Sequence, residues 1–274
     1  MTMQHLVVLA LVQGITEFLP ISSQAHLILI PALTGWPDQT LIVDVALHVG
    51  TLGAVMLYLW RDLWSLTRAV LRPSRWNREP EARLAGYLVV ATVPVVAAGL
   101  AVNYLAADAL RGVTVIGWAT LGFGIVLYLA DRHGMTVRRM EHMGLADAVI
   151  IGLAQALALV PGTSRSGITM TAARILGLER LAAARFSMLL SIPTIIGAGA
   201  LKGFDLALSG DVRLTAAAVV ATGLAFATAL VAIVAMMAWL RRATFLPFVI
   251  YRLAMGAALL GLVYGAPGLL AVSR

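Results

Sequence analysis

The chain contains no cysteine and a single lysine, Lys202, and only 12% of its 274 residues are charged. Without thiols, neither a disulfide framework nor a thiolate metal site can form. Charges this sparse cannot coat a water-soluble globule of this length, which excludes a reading as one or two soluble domains. The abundant component is apolar, at 61% hydrophobic residues with a mean hydropathy of +0.92. The solvent this implies is lipid. The net charge of +7 rests almost wholly on arginine. In an apolar chain such charge reports topology and contact with anionic head groups, so membrane lipids are expected as partners and nucleic acid is not.

Six apolar runs are long enough to cross a bilayer: residues 41–60, 82–106, 114–130, 182–201, 216–240 and 246–265. Two further stretches are apolar but broken. Residues 3–18 and 25–33 flank a polar interruption at Pro20, Ser22 and Ser23, and residues 146–160 and 165–177 flank another at Pro161 and Gly162. A short helix, a polar break and a second short helix predict a re-entrant hairpin. The expected fold is therefore an all-α integral membrane protein with six transmembrane helices and two re-entrant helical hairpins. The apolar run at residues 6–12 has no Lys or Arg before it and no small-residue cleavage site after it, so it is read as mature protein rather than a signal peptide.

The two broken stretches superpose. Placing Pro20 on Pro161 puts Ser22 on Thr163, Ser23 on Ser164 and Gln24 on Arg165, and the apolar runs downstream fall into the same order. This predicts one membrane domain made of two five-segment repeats, about 1–135 and about 140–274. Arginine orients them. Arg61, Arg68, Arg72, Arg75, Arg78 and Arg83 crowd the connection after the first span, whereas the next connection has only Arg111 against Asp108. The first of these is thus cytoplasmic. Arg132, Arg138, Arg139, Arg241 and Arg242 then fall inside, and Lys202 and Arg213 outside with Asp205 and Asp211. Both termini lie outside, the repeats are inverted, and the hairpin tips meet near the midplane. Residues 62–81 read as a basic, turn-rich loop on the cytoplasmic membrane surface.

The tips carry polar chemistry that packing does not call for. Gln13 and Glu17 are four residues apart and leave one helix face. A carboxylate at membrane depth is retained where it faces a cavity or a cation, the alternative being an idle Glu solvated at the interface. Ser22 is placed as an N-cap. Ser23 and His26, three apart, share a face, so a hydroxyl and an imidazole can converge on one ligand; a merely packed His26 is the competing reading. In the second tip, Thr163 or Ser164 caps a helix whose first turn holds Arg165 and Ser166. An arginine beside a helix N-terminus is unfavourable unless an anion sits there too. Guanidinium, free N–H groups and hydroxyls together make a phosphate site. Asp44, His48 and Thr51 on the first span, and Tyr251 with Arg252 on the last, either line the same cavity or pair with one another.

On these motifs, Gln13-x-x-x-Glu17, FLPISSQAH, PGTSRSG, RFSMLLSIP and FLPFVIYR, the chain resembles the bacterial undecaprenyl-diphosphate phosphatase family of the bacitracin-resistance type, over nearly its whole length. The resemblance implies a multi-pass enzyme of the bacterial plasma (inner) membrane, opening outward. Its substrate would be a polyprenyl diphosphate lipid, its product the monophosphate carrier lipid used in cell-wall synthesis. By position it implies Glu17, Ser23, His26 and Arg165 as catalytic residues. Gln13, Ser22, Thr163, Ser164 and Ser166 would bind the substrate, and Glu17 a divalent cation such as Mg2+. Gln13 stands where many members carry a second Glu. Covalent attack by Ser23 and attack by water activated by His26 are both compatible with the spacing. A second copy of the chain, in a homodimer, is one further expectation. The competing class is a lipid-phosphate transporter, since inverted repeats with broken helices also serve transport.

Overall fold

The computed structural model describes residues 2–72, 79–105, 112–209 and 216–265. Among the described residues the regular structure is helical, apart from one isolated bridge between Arg138 and Leu178. The elements are α1 (Met3–Thr16), α2 (Ser23–Thr34), α3 (Leu41–Tyr58), α4 (Trp60–Val70), α5 (Pro80–Leu105), α6 (Val113–His133), α7 (Leu145–Ala156), α8 (Arg165–Ile175), α9 (Arg180–Ser209), α10 (Ala216–Leu240) and α11 (Leu246–Gly265). Six of them, α3, α5, α6, α9, α10 and α11, hold windows long and apolar enough to cross a membrane. These coincide with the six runs read from the sequence.

Local chemistry sets the boundaries. Thr2 caps α1 by accepting the His5 N–H, and Gly35 ends α2 in the left-handed conformation that glycine adopts freely. Pro80 opens α5, a position where its missing N–H costs nothing. The Asp147 carboxylate accepts the Gly144 N–H at 2.8 Å and holds Arg138 in two hydrogen bonds, which ties the start of α7 to the preceding loop.

Two boundaries differ from the sequence reading. The first run stops at Tyr58, and the stretch beginning at residue 62 is not a loop throughout, because α4 occupies Trp60–Val70. That helix is amphipathic: Leu66 and Ala69 are buried, Trp60 and Trp64 are exposed, and Arg61 and Arg68 lie over those two rings. Arginine and tryptophan alternate here with helical spacing, a pattern that composition alone presents as turn-rich. An ion pair from Arg185 to Asp62 fastens α4 to α9. The expectations for Arg75, Arg78, Asp108, Arg111, Lys202, Asp205, Asp211 and Arg213 lie outside the described residues or side chains.

Packing depends on small residues. Along α10, Ala218, Ala221, Ala225 and Ala229 form a buried stripe, while Val219, Val231 and Val234 point outward. Between apolar helices in lipid, close approach and van der Waals contact drive association, and small side chains permit both. α10 lies against α3 and α1, α11 against α6, and α7 against α5. A Cβ on Gly14 of α1 would sit 2.8 Å from the Ala225 carbonyl oxygen and collide with Thr228. A Cβ on Gly152 of α7 would sit 2.7 Å from both the Cα and the carbonyl oxygen of Ala91 on α5. Each of the two short leading helices is therefore pressed onto a long one through a glycine.

A polar knot ties the far ends together. Asp131 at the end of α6 accepts from Arg174 at 3.2 Å, from Arg180 at 2.7 Å and from the Phe245 N–H at 3.1 Å. The contact at Gly152 yields a direct test. Gly152→Val is expected to cost about 1–3 kcal/mol through overpacking, read as a lower midpoint of thermal unfolding in detergent. Gly122→Ala, whose Cβ meets nothing within 4 Å, should leave the midpoint unchanged or raise it.

Candidate active site

The break between α1 and α2 and the break between α7 and α8 are built alike. Pro20 and Pro161 interrupt the helices, and each following helix is capped by a serine with positive φ: Ser22 at φ 74° and Ser164 at φ 71°. They are the only non-glycine residues with positive φ among the described residues. Such backbone costs on the order of 1–3 kcal/mol and persists where the surroundings impose it. Both serine hydroxyls accept an N–H three residues on, from Ala25 at 3.4 Å and from Gly167 at 3.1 Å. Ser22 is thus a cap, and so is Ser164 rather than Thr163.

The two breaks meet at one carboxylate. Glu17, 8% exposed at the end of α1, accepts from Gln13 Nε2 at 2.9 Å and from Ser23 Oγ at 2.6 Å on Oε2. Its Oε1 accepts from Arg165 Nη2 at 2.7 Å, across 148 residues of chain. Ser166 Oγ donates to the Leu19 carbonyl at 2.8 Å and lies 3.1 Å from Ser164 Oγ. The Arg165 guanidinium also rests near the Phe18 ring, 5.9 Å from its centroid. The residues singled out in the two halves are therefore one constellation.

His26 is held differently from its expected pairing with Ser23. No hydrogen bond joins the two among the described residues. His26 Nδ1 lies 2.6 Å from the Ser22 carbonyl oxygen, which can only accept, so Nδ1 carries the proton. Nε2 of the neutral ring then accepts from the Tyr251 hydroxyl at 2.5 Å, with the two rings nearly parallel. Tyr251 and Arg252 on α11 thus belong to the site's immediate surroundings: Tyr251 orients the imidazole, and Arg252 lies fully buried among main-chain carbonyls at the breaks. The available sequence signal was two polar residues inside an otherwise apolar span. His48 on α3 bonds back to Asp44, and Thr51 to the His48 carbonyl, so these pair along their own helix.

Three polar atoms at the breaks are buried without a partner: Gln13 Oε1, Thr163 Oγ1 and Arg165 Nη1. Buried polar groups are ordinarily satisfied, and an orphaned guanidinium nitrogen beside a helix N-terminus is suited to an anion. The same orphans bear on a divalent cation. Among the described residues no cluster of three His, Asp or Glu side chains can hold a metal. The Glu17 carboxylate, the Gln13 amide oxygen and the Ser23 hydroxyl are nonetheless hard oxygen donors in one place. Mg2+ is bound by one or two carboxylates plus water and phosphate oxygens, so this donor set fits it.

The ion pair predicts its own coupling. Glu17→Gln or Arg165→Gln alone leaves a buried charge unpaired and is expected to cost about 3–5 kcal/mol. The double variant should recover about 1–3 kcal/mol of the summed loss. Unfolding of the four proteins in one detergent, followed by circular dichroism, reads this cycle, and additive losses would refute the pairing.

Comparison with known proteins places the whole chain in one family. The model of the family described as bacitracin resistance protein BacA matches residues 6–258. A protein named undecaprenyl-diphosphatase 1 from Rhodospirillum rubrum is 54% identical over 276 residues, covering 98% of each chain. Proteins named undecaprenyl-diphosphatase from Ruegeria pomeroyi and Roseobacter denitrificans are 52% and 50% identical over 266 residues, covering 96% of this chain and 100% of theirs. With one family model spanning both helix breaks and relatives this similar along nearly their whole length, the chain belongs to the bacitracin resistance protein BacA family.

Proposed function

We propose that the chain is a membrane-embedded undecaprenyl-diphosphate phosphatase, releasing the terminal phosphate and leaving undecaprenyl phosphate for reuse in cell-wall synthesis. The observation that carries the reading is the Ser23–Glu17–Arg165 chain of hydrogen bonds, which joins a hydroxyl, a carboxylate and a guanidinium with a free donor. Arg165 Nη1, Thr163 and the N–H groups that open α8 receive the terminal phosphate, with Ser164 and Ser166 fixing the loop beneath it. Ser22 does the same for the loop that carries Ser23.

Ser23 Oγ is already hydrogen-bonded to Glu17 at 2.6 Å, the geometry of a nucleophile with its base. Ser23 Oγ attacks the terminal phosphorus and its proton passes to Glu17. The Oγ–P bond forms as the anhydride P–O bond breaks, and the lipid monophosphate leaves. Water then hydrolyses the phosphoserine to inorganic phosphate, its oxygen bonding to phosphorus as the Oγ–P bond breaks. Glu17 returns its proton to Ser23 Oγ, and the proton of the water passes to His26 Nε2 through the Tyr251 hydroxyl that donates to it. A divalent cation, held by Glu17 and Gln13 when bound, supplies charge neutralisation on the phosphate oxygens. Phosphoryl transfer requires mainly positioning and such neutralisation.

In the same reading α1–α2 and α7–α8 are re-entrant hairpins, one in each of two inverted repeats at about 1–135 and 140–274. Support comes from the twin serine caps and from the packing. Exchanging the repeats maps the α1–α10 contact onto α7–α5, and α6–α11 onto itself. The basic residues of α4 and of the segments after α6 and α10 orient both termini and the site's opening outward across the bacterial plasma membrane. A homodimer is compatible with this arrangement.

The experiment is phosphate release from undecaprenyl diphosphate by purified protein in detergent, with Mg2+ or with chelator. Release should depend on the cation and fall at least about 100-fold in Arg165→Ala, Glu17→Ala and Ser23→Ala. Tyr251→Phe should lower kcat by about tenfold and shift the pH profile, because His26 loses its partner. Absence of release from folded wild type, where no transport can occur, would leave lipid-phosphate transport as the reading.

A further inference from the structure

We propose that Arg252 is a positioning residue that locks the two helix breaks at the separation the reaction needs; the proposal rests on the phosphatase reading of the site. Its side chain is 0% exposed, so solvent does not reach it. The guanidinium makes five hydrogen bonds, all to main-chain carbonyls. Nη1 donates to Pro20 O at 3.2 Å and to Thr163 O at 2.9 Å. Nη2 donates to Gly162 O at 2.8 Å and Ala119 O at 3.4 Å, and Nε to Thr120 O at 3.2 Å.

One nitrogen therefore bridges the two breaks. Pro20 lies two residues before the strained cap Ser22, and Thr163 one residue before the strained cap Ser164. The same guanidinium anchors both to α6 through Ala119 and Thr120. Among the described residues no carboxylate pairs with it. A charge buried in an apolar interior without a counter-ion is retained where its donors are needed, and only a planar guanidinium offers five in fixed directions. Lysine has three donors on one atom and cannot hold the carbonyls of both breaks and those of α6 at once. The neighbours make room for it: a Cβ on Gly124 would lie 3.0 Å from Arg252 Cβ, and one on Gly167 3.1 Å from Nη1.

The chemistry needs this lock. Ser23 comes from one break and Arg165 from the other, so the distance between attacking oxygen and phosphate clamp is the distance between the breaks. A displacement of about 1 Å in such a geometry can cost about 100-fold in rate. A residue that merely stabilised the bundle would instead loosen every helix alike.

The test compares wild type with Arg252→Lys, Arg252→Met and Gly124→Ala, the last keeping the guanidinium but crowding its stem. Amide hydrogen exchange is followed by mass spectrometry alongside phosphate release. In Arg252→Lys and Arg252→Met, amides in residues 17–24 and 160–168 should exchange at least about tenfold faster together, with α3 and α10 unchanged. In these variants kcat should fall about 30- to 100-fold with KM within about threefold. Gly124→Ala should show the same pattern at smaller amplitude, and it decides the matter if Arg252→Met does not fold. Exchange that rises everywhere alike, at one break only, or nowhere would overturn the proposal, as would an unchanged kcat in active protein. Because exchange needs no turnover, a wild type that releases no phosphate would defeat the phosphatase reading while leaving the lock to be judged on exchange alone.

Discussion

A single buried carboxylate organises this protein. Glu17 accepts from Gln13, Ser23 and Arg165, and through them draws together two helix breaks nearly 150 residues apart. A charge at this depth is unfavourable unless its hydrogen-bonding capacity is filled, and both oxygens of Glu17 are engaged. Attraction between Glu17 and Arg165 is strong because little water screens it. The pairing is incomplete on one side only: Arg165 keeps one nitrogen without a partner. An ion pair that satisfies the carboxylate but leaves the guanidinium half used keeps the two halves assembled and still offers a donor to an anion.

The surrounding fold explains how so polar a centre can lie inside apolar helices. The polar groups are carried at helix ends, where backbone N–H groups lack intrahelical partners and hydroxyls satisfy them. Ser22 and Ser164 perform this role in strained conformations, and the strain is borne because the flanking helices are firmly packed. Gly14 and Gly152 let α1 and α7 approach α10 and α5 closely, so the short helices that end at the breaks are seated on long ones. Asp131 with Arg174 and Arg180 secures α6, α8 and α9 at the other end, away from the breaks.

The local sequence is unequal in how much it reveals. The six long apolar runs appear as six helices, because twenty consecutive apolar residues leave the backbone no better choice in lipid. The breaks were legible from proline followed by small polar residues, and Glu17, Ser23 and Arg165 stood out because charge is rare in this chain. The amphipathic α4 was missed, since its arginines and tryptophans read as loop composition until their helical spacing is considered. The link from His26 to Tyr251 was missed for a different reason: three-residue spacing pointed to Ser23, and only the approach of α11 supplied the actual partner.

By itself, the amino-acid sequence determined the class of solvent, the number of long helices, the position of both breaks and the residue types gathered there. These follow from composition and from short-range backbone chemistry. Tertiary structure alone decided which of those residues touch: that Ser23 bonds to Glu17 rather than to His26, that Arg165 reaches across to the first break, and that Arg252 donates to both breaks at once. The Arg165 and Arg252 contacts join segments far apart in the chain, and the contact of Ser23 with Glu17, six residues apart, depends on how the first break turns between them. Their geometry is set by how helices pack around small residues, a long-range property that no local pattern encodes.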